Sequence, residues 1–380
     1  MKSARLATGA VAAILVTAGT AVAGEYCWIQ ILHLGSGPGK RATDKRTVEL
    51  GDDLRILDRT QISLAAAITS AQNMGPVIEA KFELDDNKNL SLSLYPAGQP
   101  IDVDAERNVF QELSGDPTMA PFAGSLEVFQ DQEHLTRSAR DLTLCQLSRV
   151  GLLDAVNAVA NEGKWPFWAI PTIRHGRAGY GIYTLDDNGN KHYSFVDGGG
   201  SDDSSCFPDD LGAGPGNGAT DKRGVELGSD VTIVRSSRIG LLDAIGKAES
   251  QYGPVIEAKF ELADDGTSLS LSIYTVNQGR DTDAERNHFF EASGDPTASP
   301  FAPTNSEFTA PDAEHLTRSA RDLTLVQTAG LKIKEAVSIA QSMIPDGFVF
   351  WAIPTIRDAR SGYGIYVLDS NNAVHYFFVS

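Results

Sequence analysis

Apolar residues recur at helical spacing in the stretch that follows position 53. The positions are Ile62, Leu64, Ala67, Ile68 and Ala71, and the last four are separated by three or four residues across successive turns, which places them on one face of a helix. The same offsets recur in the stretches that begin at Asp141, Asp230 and Asp322. The pattern predicts four amphipathic helices, each opening one structural unit.

Runs with strand character follow each predicted helix. A glycine turn ends the helix, for example at Gly75, and strand-forming segments such as 77–84 and 90–95 come next. Short acidic turns join these runs, as at 85–87 and 264–266. Connections this short leave no room for the crossover helices that a parallel sheet requires. The chain is therefore expected to be α+β, made of tandem helix-plus-antiparallel-sheet units.

Long blocks of sequence occur twice. Ala-Thr-Asp-Lys-Arg at 42–46 recurs at 219–223, and a decapeptide at 75–84 recurs unchanged at 253–262. Such repeats predict two duplicated halves, and the fainter helix repeat divides each half into two units. The predicted divisions are a signal peptide (1–23), an N-terminal segment (24–41), a first half (42–198), a Gly- and Asp-rich linker (199–218) and a second half (219–380).

The first 23 residues have the features of a secretory signal. Lys2 and Arg5 form a positive region, residues 6–22 are apolar or small, and Ala-Val-Ala at 21–23 matches a cleavage site. We expect a mature chain that begins at Gly24 and is located outside the cytoplasm, in the periplasm or the medium. No later apolar run approaches the roughly 20 residues of a membrane-spanning helix, so membrane insertion is not expected.

The acidic composition of the chain limits the classes of partner that it is expected to bind. The 380 residues include 32 Lys and Arg against 50 Asp and Glu, a formal net charge of -18, and 42% are apolar. Nucleic acids and anionic membrane surfaces attract clustered cations. Neither is therefore expected as a partner of this acidic chain.

The order of elements resembles that of the PepSY domain. A helix, a glycine turn, a strand such as Val-Ile-Glu-Ala-Lys-Phe-Glu-Leu, an acidic turn and a strand such as Leu-Ser-Leu-Ser-Ile-Tyr follow one another. The resemblance is clearest over 64–104 and 242–283, and more divergent over 152–197 and 333–380. It implies a fold akin to that of the beta-lactamase inhibitor protein.

The same resemblance implies a non-catalytic module with no cofactor. PepSY domains occur in propeptides of secreted metallopeptidases and in envelope proteins, with a proposed role in restraining peptidases. The 380 residues show no peptidase domain after these units. An inhibitory role is therefore expected to act in trans, on a separate peptidase.

Common catalytic motifs are absent from the sequence. It contains no H-E-x-x-H, G-x-S-x-G, Walker or C-x-x-C motif, and no two of its seven histidines lie four residues apart. The expectation is a protein that is not an enzyme and holds no metal. An enzyme whose residues are dispersed along the chain is the alternative.

The block 133–141, with its twin at 314–322, is the most charged repeated segment. Glu133 and Arg137 have the i, i+4 spacing of a helical ion pair. One interpretation makes His134 and the arginines an acid–base or anion site. The preferred one is an ion-paired helix that links two units.

Two further carboxylate pairs lie between the strand runs, Asp104 with Glu106 and Asp283 with Glu285. As hard oxygen ligands they offer Ca²⁺ sites. The arginine that follows each pair makes ion pairing the preferred interpretation.

Two predicted hairpin tips carry the candidate partner-binding residues. Arginines border short turns between strand runs, and aromatic residues lie nearby. Arg, Trp and Tyr are enriched in binding hot spots. The candidates are Arg174, Arg177 and Trp168 in the first half and Arg357, Arg360 and Trp351 in the second. The alternative is a pair of solvated turns beside core aromatics.

The three cysteines differ in their expected roles. Cys27 and Cys206 precede the repeated pentapeptide at corresponding places, which predicts a disulfide between them in an oxidising compartment. Cys145 corresponds to Val326 and is expected to be a small buried residue.

These patterns favour a secreted, non-catalytic binding protein that engages an extracytoplasmic protein. The resemblance suggests a peptidase as that partner. The alternative is a structural or envelope-scaffold protein that associates with its own copies or with surface polymer.

Overall fold

A computed structural model describes residues 29–39, 42–43, 46–51, 54–199, 209–216, 218–220 and 223–380. Within them the chain forms two eight-stranded antiparallel sheets together with α-helices, so the predicted α+β class is confirmed. We refer to 29–199 as the first half and to 209–380 as the second. The predicted signal peptide and the Cys27–Cys206 disulfide lie outside the described residues.

The two sheets have the same strand order. The first contains β1 (Gln30–His33), β2 (Val77–Leu84), β3 (Leu90–Pro96), β4 (Gln111–Gly115), β5 (Ser125–Val128), β6 (Trp165–Arg174), β7 (Arg177–Leu185) and β8 (Lys191–Asp197), in the order β1-β8-β7-β6-β2-β3-β4-β5. The second contains β9 (Asp209–Asp210), β10 (Val255–Leu262), β11 (Leu269–Val276), β12 (Phe289–Gly294), β13 (Thr304–Glu307), β14 (Phe348–Arg357), β15 (Arg360–Leu368) and β16 (Val374–Val379), in the order β9-β16-β15-β14-β10-β11-β12-β13.

The four predicted helices are present, with two longer ones between them. The helices are α1 (Leu64–Ala71), α2 (Gln132–Leu147), α3 (Leu152–Ala160), α4 (Leu241–Gln251), α5 (Ala313–Thr328) and α6 (Ile333–Met343). The hydroxyl of Ser63 caps α1 by accepting the N–H of Ala66 at 3.2 Å. The buried face of α1 is the predicted one: Leu64, Ala67, Ile68 and Ala71.

The turn after α1 requires glycine. Gly75 has a φ of 138°, and a Cβ placed there would lie 1.9 Å from the carbonyl oxygen of Ala97. Gly253 repeats the arrangement after α4, with a φ of 116° and 2.3 Å to the oxygen of Val276. A side chain at either position would overlap the neighbouring backbone, so these turns fix where β2 and β10 begin.

Helices cover both faces of each sheet at its centre. On β2, Ile78, Ala80 and Phe82 belong to the apolar core shared with α1 and α3. The alternate residues of β2 are charged, and α2 lies over them. Because both faces are covered, the first six residues of β2 are all buried, polar and apolar alike.

Helices α2 and α5 pack against each other at the centre of the molecule. Nearly every residue from 135 to 147 is buried, as is every residue from 316 to 326. Leu144, Leu147 and Leu325 form an apolar cluster here with Ile173 and Ile356. The block 133–141 thus forms an ion-paired helix between β5 and α3, in line with the preferred interpretation, but it is mostly buried and also packs the two halves together.

Edge strands occupy part of the predicted linker and of the predicted N-terminal segment. Strand β9, within 199–218, pairs with β16, and β1, within 24–41, pairs with β8 in the same way. These short strands attach mainly through backbone hydrogen bonds, which any side-chain composition permits. The Gly- and Asp-rich sequence around β1 and β9 is typical of a linker, so the sequence pattern does not predict these two strands.

Candidate functional site

The predicted hairpin tips exist, but two of their arginines are engaged within the chain. The β6–β7 turn is bordered by Arg174 and Arg177, and the β14–β15 turn by Arg357 and Arg360. The guanidinium of Arg174 donates to the carbonyl of Pro38 at 2.8 Å, and that of Arg357 donates to Pro215 at 3.0 Å. Each therefore holds the glycine-rich segment of its own half against the tip.

The remaining tip arginines differ between the halves. Arg177 forms an ion pair with Asp197 at 3.2 Å. Ser380 stands at the equivalent of Asp197 in the second half, and Arg360 has no ion pair with any described residue. Arg360 is thus the tip arginine best placed to meet an external anion.

The two candidate tryptophans are core residues. Trp168 and Trp351 are 4% and 2% exposed, and their indole N–H groups donate to Glu79 and Glu257 at 2.9 and 2.8 Å. A partner therefore has no access to them in this structure. The placement favours the alternative of core aromatics, because strand alternation turns these rings toward α2 and α5.

A buried ionic cluster lies beneath α2 in the first half. Arg46 donates to Glu79 at 2.9 Å, and the Nε of Arg137 lies 3.7 Å from the same carboxylate. Burial alone would raise the pKa of Glu79, but the charges of Arg46, Arg137 and Lys81 outweigh it and lower the pKa to about 2. Glu79 is therefore ionised throughout the physiological range.

The predicted ion pair between Glu133 and Arg137 is absent. Arg137 turns to the buried Glu79 because the attraction between charges is stronger where water is excluded. His134 lies at the start of α2, where its Nδ1 is 2.8 Å from Asp131. The acid–base or anion site considered for this block therefore has its charges already paired within the chain.

The second half contains the same cluster, in which Arg318 lies closer to its glutamate than Arg137 does. Arg318 binds Glu257 through two nitrogens, Nη2 at 2.8 Å and Nε at 3.2 Å, and Arg223 donates to it at 3.2 Å. Burial opposes ionisation of Glu257, but Arg318 and Arg223 hold its pKa well below the usual range. Glu257 is therefore ionised at neutral pH, like Glu79, whereas burial raises the pKa of the neighbouring Asp322 to about 8.

Reciprocal contacts join the halves. The Nε of Arg140 on α2 lies 3.5 Å from Asp283 of the second half, and the Nε of Arg321 on α5 lies 3.5 Å from Asp104 of the first. Asp104 and Asp283 are therefore ion-paired with an arginine of the other half. Glu106 and Glu285 pair with the adjacent arginine as preferred, at 3.8 and 3.9 Å. In the described ranges, no group of three His, Cys, Asp or Glu side chains is placed to hold a metal.

An open groove in the second half is the candidate binding site. Its volume is about 1040 Å³, and it lies between α4, α6 and the loop that joins β12 to β13. Apolar side chains contribute to its lining, among them Leu242, Phe301 and Ile339. An open groove with apolar lining suits a segment of polypeptide better than a fully enclosed small molecule.

Three cations line this groove: Arg238, Lys247 and Lys334. Lys334 lies 3.9 Å from Glu249, whereas Arg238 and Lys247 have no ion pair with any residue that the structure describes. Two carboxylates, Asp243 and Glu335, are also present, and Glu335 accepts the backbone N–H at the start of α6. The groove thus has three cations against two carboxylates, a local positive excess on a strongly acidic chain.

The first half lacks these cations at the equivalent surface. Helices α1 and α4 bury the same four positions, as do α3 and α6, so the residues can be matched directly. Gln61, Ser70 and Leu153 stand in place of Arg238, Lys247 and Lys334. Sequence reasoning missed this groove because its residues come from three separate segments. The sequence feature that could have indicated the groove is the difference in charge at these three positions between two otherwise similar repeats.

Cys145 is buried, as predicted. The residue is 8% exposed, and its thiol lies 3.8 Å from the carbonyl oxygen of Ile78. Burial raises the pKa of this thiol to about 12. Cys145 is therefore unreactive in the folded chain.

Comparisons with known proteins give no match: no protein-family model, no curated protein and no solved structure matches this chain. Among the described residues, no helix combines the length and apolar character needed to cross a membrane. Function is therefore inferred from the site itself.

Proposed function

We propose that this protein is a secreted, non-catalytic binding protein that engages an extracytoplasmic partner protein. The observation that carries this proposal is the second-half groove, with Arg238 and Lys247 beside an apolar lining. The occupant that complements it is an acidic, partly apolar segment of the partner. The chain as a whole would repel such a segment, so the groove is a local exception that selects where it binds.

We further propose that each half consists of two PepSY-like units. The order of elements supports this: α1, α3, α4 and α6 are each followed by three or more antiparallel strands. The role suggested by that resemblance is restraint of a peptidase in trans. A peptidase is therefore the first partner class to test.

The test is a pull-down with the mature chain from Gly24 in the native extracytoplasmic fraction, followed by mass spectrometry. The variant R238Q/K247S/K334L gives the groove the residues of the first half. We expect a stoichiometric partner that the wild-type chain retains and this variant loses. A variant R360E tests the tip arginine separately.

A charge-matched control separates the groove from general electrostatics. The variant K88S/R107Q/R286Q removes three exposed cations elsewhere and should retain the partner. If the partner is a peptidase, the wild-type chain should slow its cleavage of a substrate and the groove variant should not.

Two results would contradict the proposal. One is the absence of any partner above background. The other is self-association at micromolar concentration in light scattering that accounts for all binding, which would favour the scaffold alternative.

A further inference from the structure

Strands β5 and β13 end the two sheets at equivalent positions. Each pairs with its neighbour over four residues, with Val128 opposite Gln111 in the first half and Glu307 opposite Phe290 in the second. All four residues of each strand are exposed. The two edges therefore share a backbone arrangement and differ only in their side chains.

The first-half edge is apolar on one side. Leu126 and Val128 are 51% and 48% exposed, and Val109, just before β4, is 43% exposed. Leu126 lies directly opposite the buried Leu113, so this side continues the apolar face of the sheet. The core face thus extends to the edge of the sheet without a cover.

The second-half edge is polar at the same positions. Asn305 and Glu307 replace Leu126 and Val128, and His288 replaces Val109. The Nδ1 of His288 lies 2.6 Å from the carboxylate of Glu307. Charged and polar side chains are a common protection of edge strands against pairing with other chains. The first half has no such protection at these positions.

The opposite side of the first-half edge carries two like charges. Glu112 and Glu127 are directly opposite each other, and neither has a cation within ion-pair distance among the described residues. Like charges in this position destabilise a sheet. In the second half, Glu291 faces Ser306 instead. A cation supplied from outside would relieve the repulsion between Glu112 and Glu127.

We propose that β5 accepts an extended segment of a partner protein as a ninth strand of the first sheet. The segment carries apolar side chains on the side of Leu126 and Val128, and Lys or Arg beside Glu127. A second copy of this chain is a poorer occupant, because pairing β5 with β5 would bring the Glu112 and Glu127 carboxylates of both copies together. This docking mode involves the first half and is independent of the groove.

The probe is a fluorescein-labelled octapeptide that alternates valine and lysine, titrated into the mature wild-type chain and followed by fluorescence anisotropy. Saturable binding at one site is expected. The variant L126N/V128T keeps the net charge and should weaken binding by about tenfold or more, because two apolar contacts are lost. The backbone groups of Leu126 and Val128 point away from β4, so they would bond to the valines of the peptide. The same peptide with its valine nitrogens methylated cannot complete these hydrogen bonds and should also bind weakly.

A transplant provides the matched control. The variant N305L/S306E/E307V gives β13 the Leu, Glu and Val of β5, and should raise the number of peptide sites from one to two. Circular dichroism melts confirm that each variant is folded.

Several results would overturn the proposal: no saturable binding by the wild-type chain, equal binding by L126N/V128T, equal binding of the methylated peptide, or no second site in the transplant. A dimer in sedimentation that L126N/V128T abolishes would identify a second copy as the occupant, which also overturns it.

Discussion

The two halves of the molecule have the same interior and different outer surfaces. In both interiors a buried glutamate holds two arginines and a tryptophan, around Glu79 in the first half and Glu257 in the second. Outside, the second half alone has the three groove cations and the first half alone has the apolar edge at β5.

This difference separates structural positions from positions available for binding. Removing one member of a buried ion pair leaves an uncompensated charge, so these residues constrain one another. The groove and the sheet edge carry no such constraint. Binding roles specific to one half are therefore expected at the exposed positions where the two halves differ.

The largest expected effect comes from removing the central glutamates. Glu79→Ala and Glu257→Ala each leave buried arginines unpaired and should cost about 3 to 5 kcal/mol of unfolding free energy. Glu257→Ala should cost more, because Arg318 binds Glu257 through two nitrogens. Urea unfolding measures both, with the exposed Glu127→Ala as control. Losses as small as that of the control would contradict an interior held by these carboxylates, and equal losses would contradict the extra contribution expected from the two-nitrogen contact of Arg318.

Unfolding free energies measured at acidic pH test the ionisation of the same buried glutamates. The pKa of Glu79 is lowered from 4.5 to about 2, so the folded state favours the ionised form. Its contribution, about 3 kcal/mol, is complete above pH 4.5 and is lost as the pH falls toward 2. Unfolding free energies of wild type and Glu79→Gln, measured across this window, should converge as the pH falls. Parallel curves would show that Glu79 has an ordinary pKa.

The contacts between halves should have a smaller effect. Asp104→Asn with Asp283→Asn weakens both reciprocal ion pairs and should cost about 2 kcal/mol. The two halves should then unfold less cooperatively, seen as a broadened or double calorimetric transition. A single sharp transition with unchanged midpoint would show that apolar packing of α2 on α5 is sufficient.

The smallest effect is expected at the hairpin tips. Arg177→Glu breaks an ion pair that is partly exposed to solvent and should cost less than about 1 kcal/mol, whereas Arg360→Glu should leave the melting temperature unchanged. Thermal melts in low and high salt compare the two. An equal loss for both variants would show that Arg360 is also engaged.

Local patterns could be predicted from the sequence. Helix α1 and strands β2 and β3 follow directly from the spacing of apolar residues, and the glycine turn at Gly75 from its steric requirement. The fold class follows from these elements and their short connections.

Long-range pairing of charges could not be predicted. The sequence predicts an ion-paired helix at Arg137 and Arg140, but a periodic pattern shows only that these positions are charged and not which distant carboxylate each will contact. The partners Glu79 and Asp283 are far away in the sequence. Likewise, the tip arginines were located correctly, but the carbonyl of Pro38 that binds Arg174 is visible only in the folded chain.

The reciprocal packing of α2 and α5 gives this single chain the geometry of a dimer whose subunits are covalently joined. A symmetric dimer of identical subunits displays every outward surface twice. Once the subunits are joined and differ, each surface is displayed once. With an acidic segment in the groove and a basic strand at β5, the molecule would bind one copy of each of two partners. It would bridge them in a one-to-one complex and would not cross-link either partner into larger assemblies.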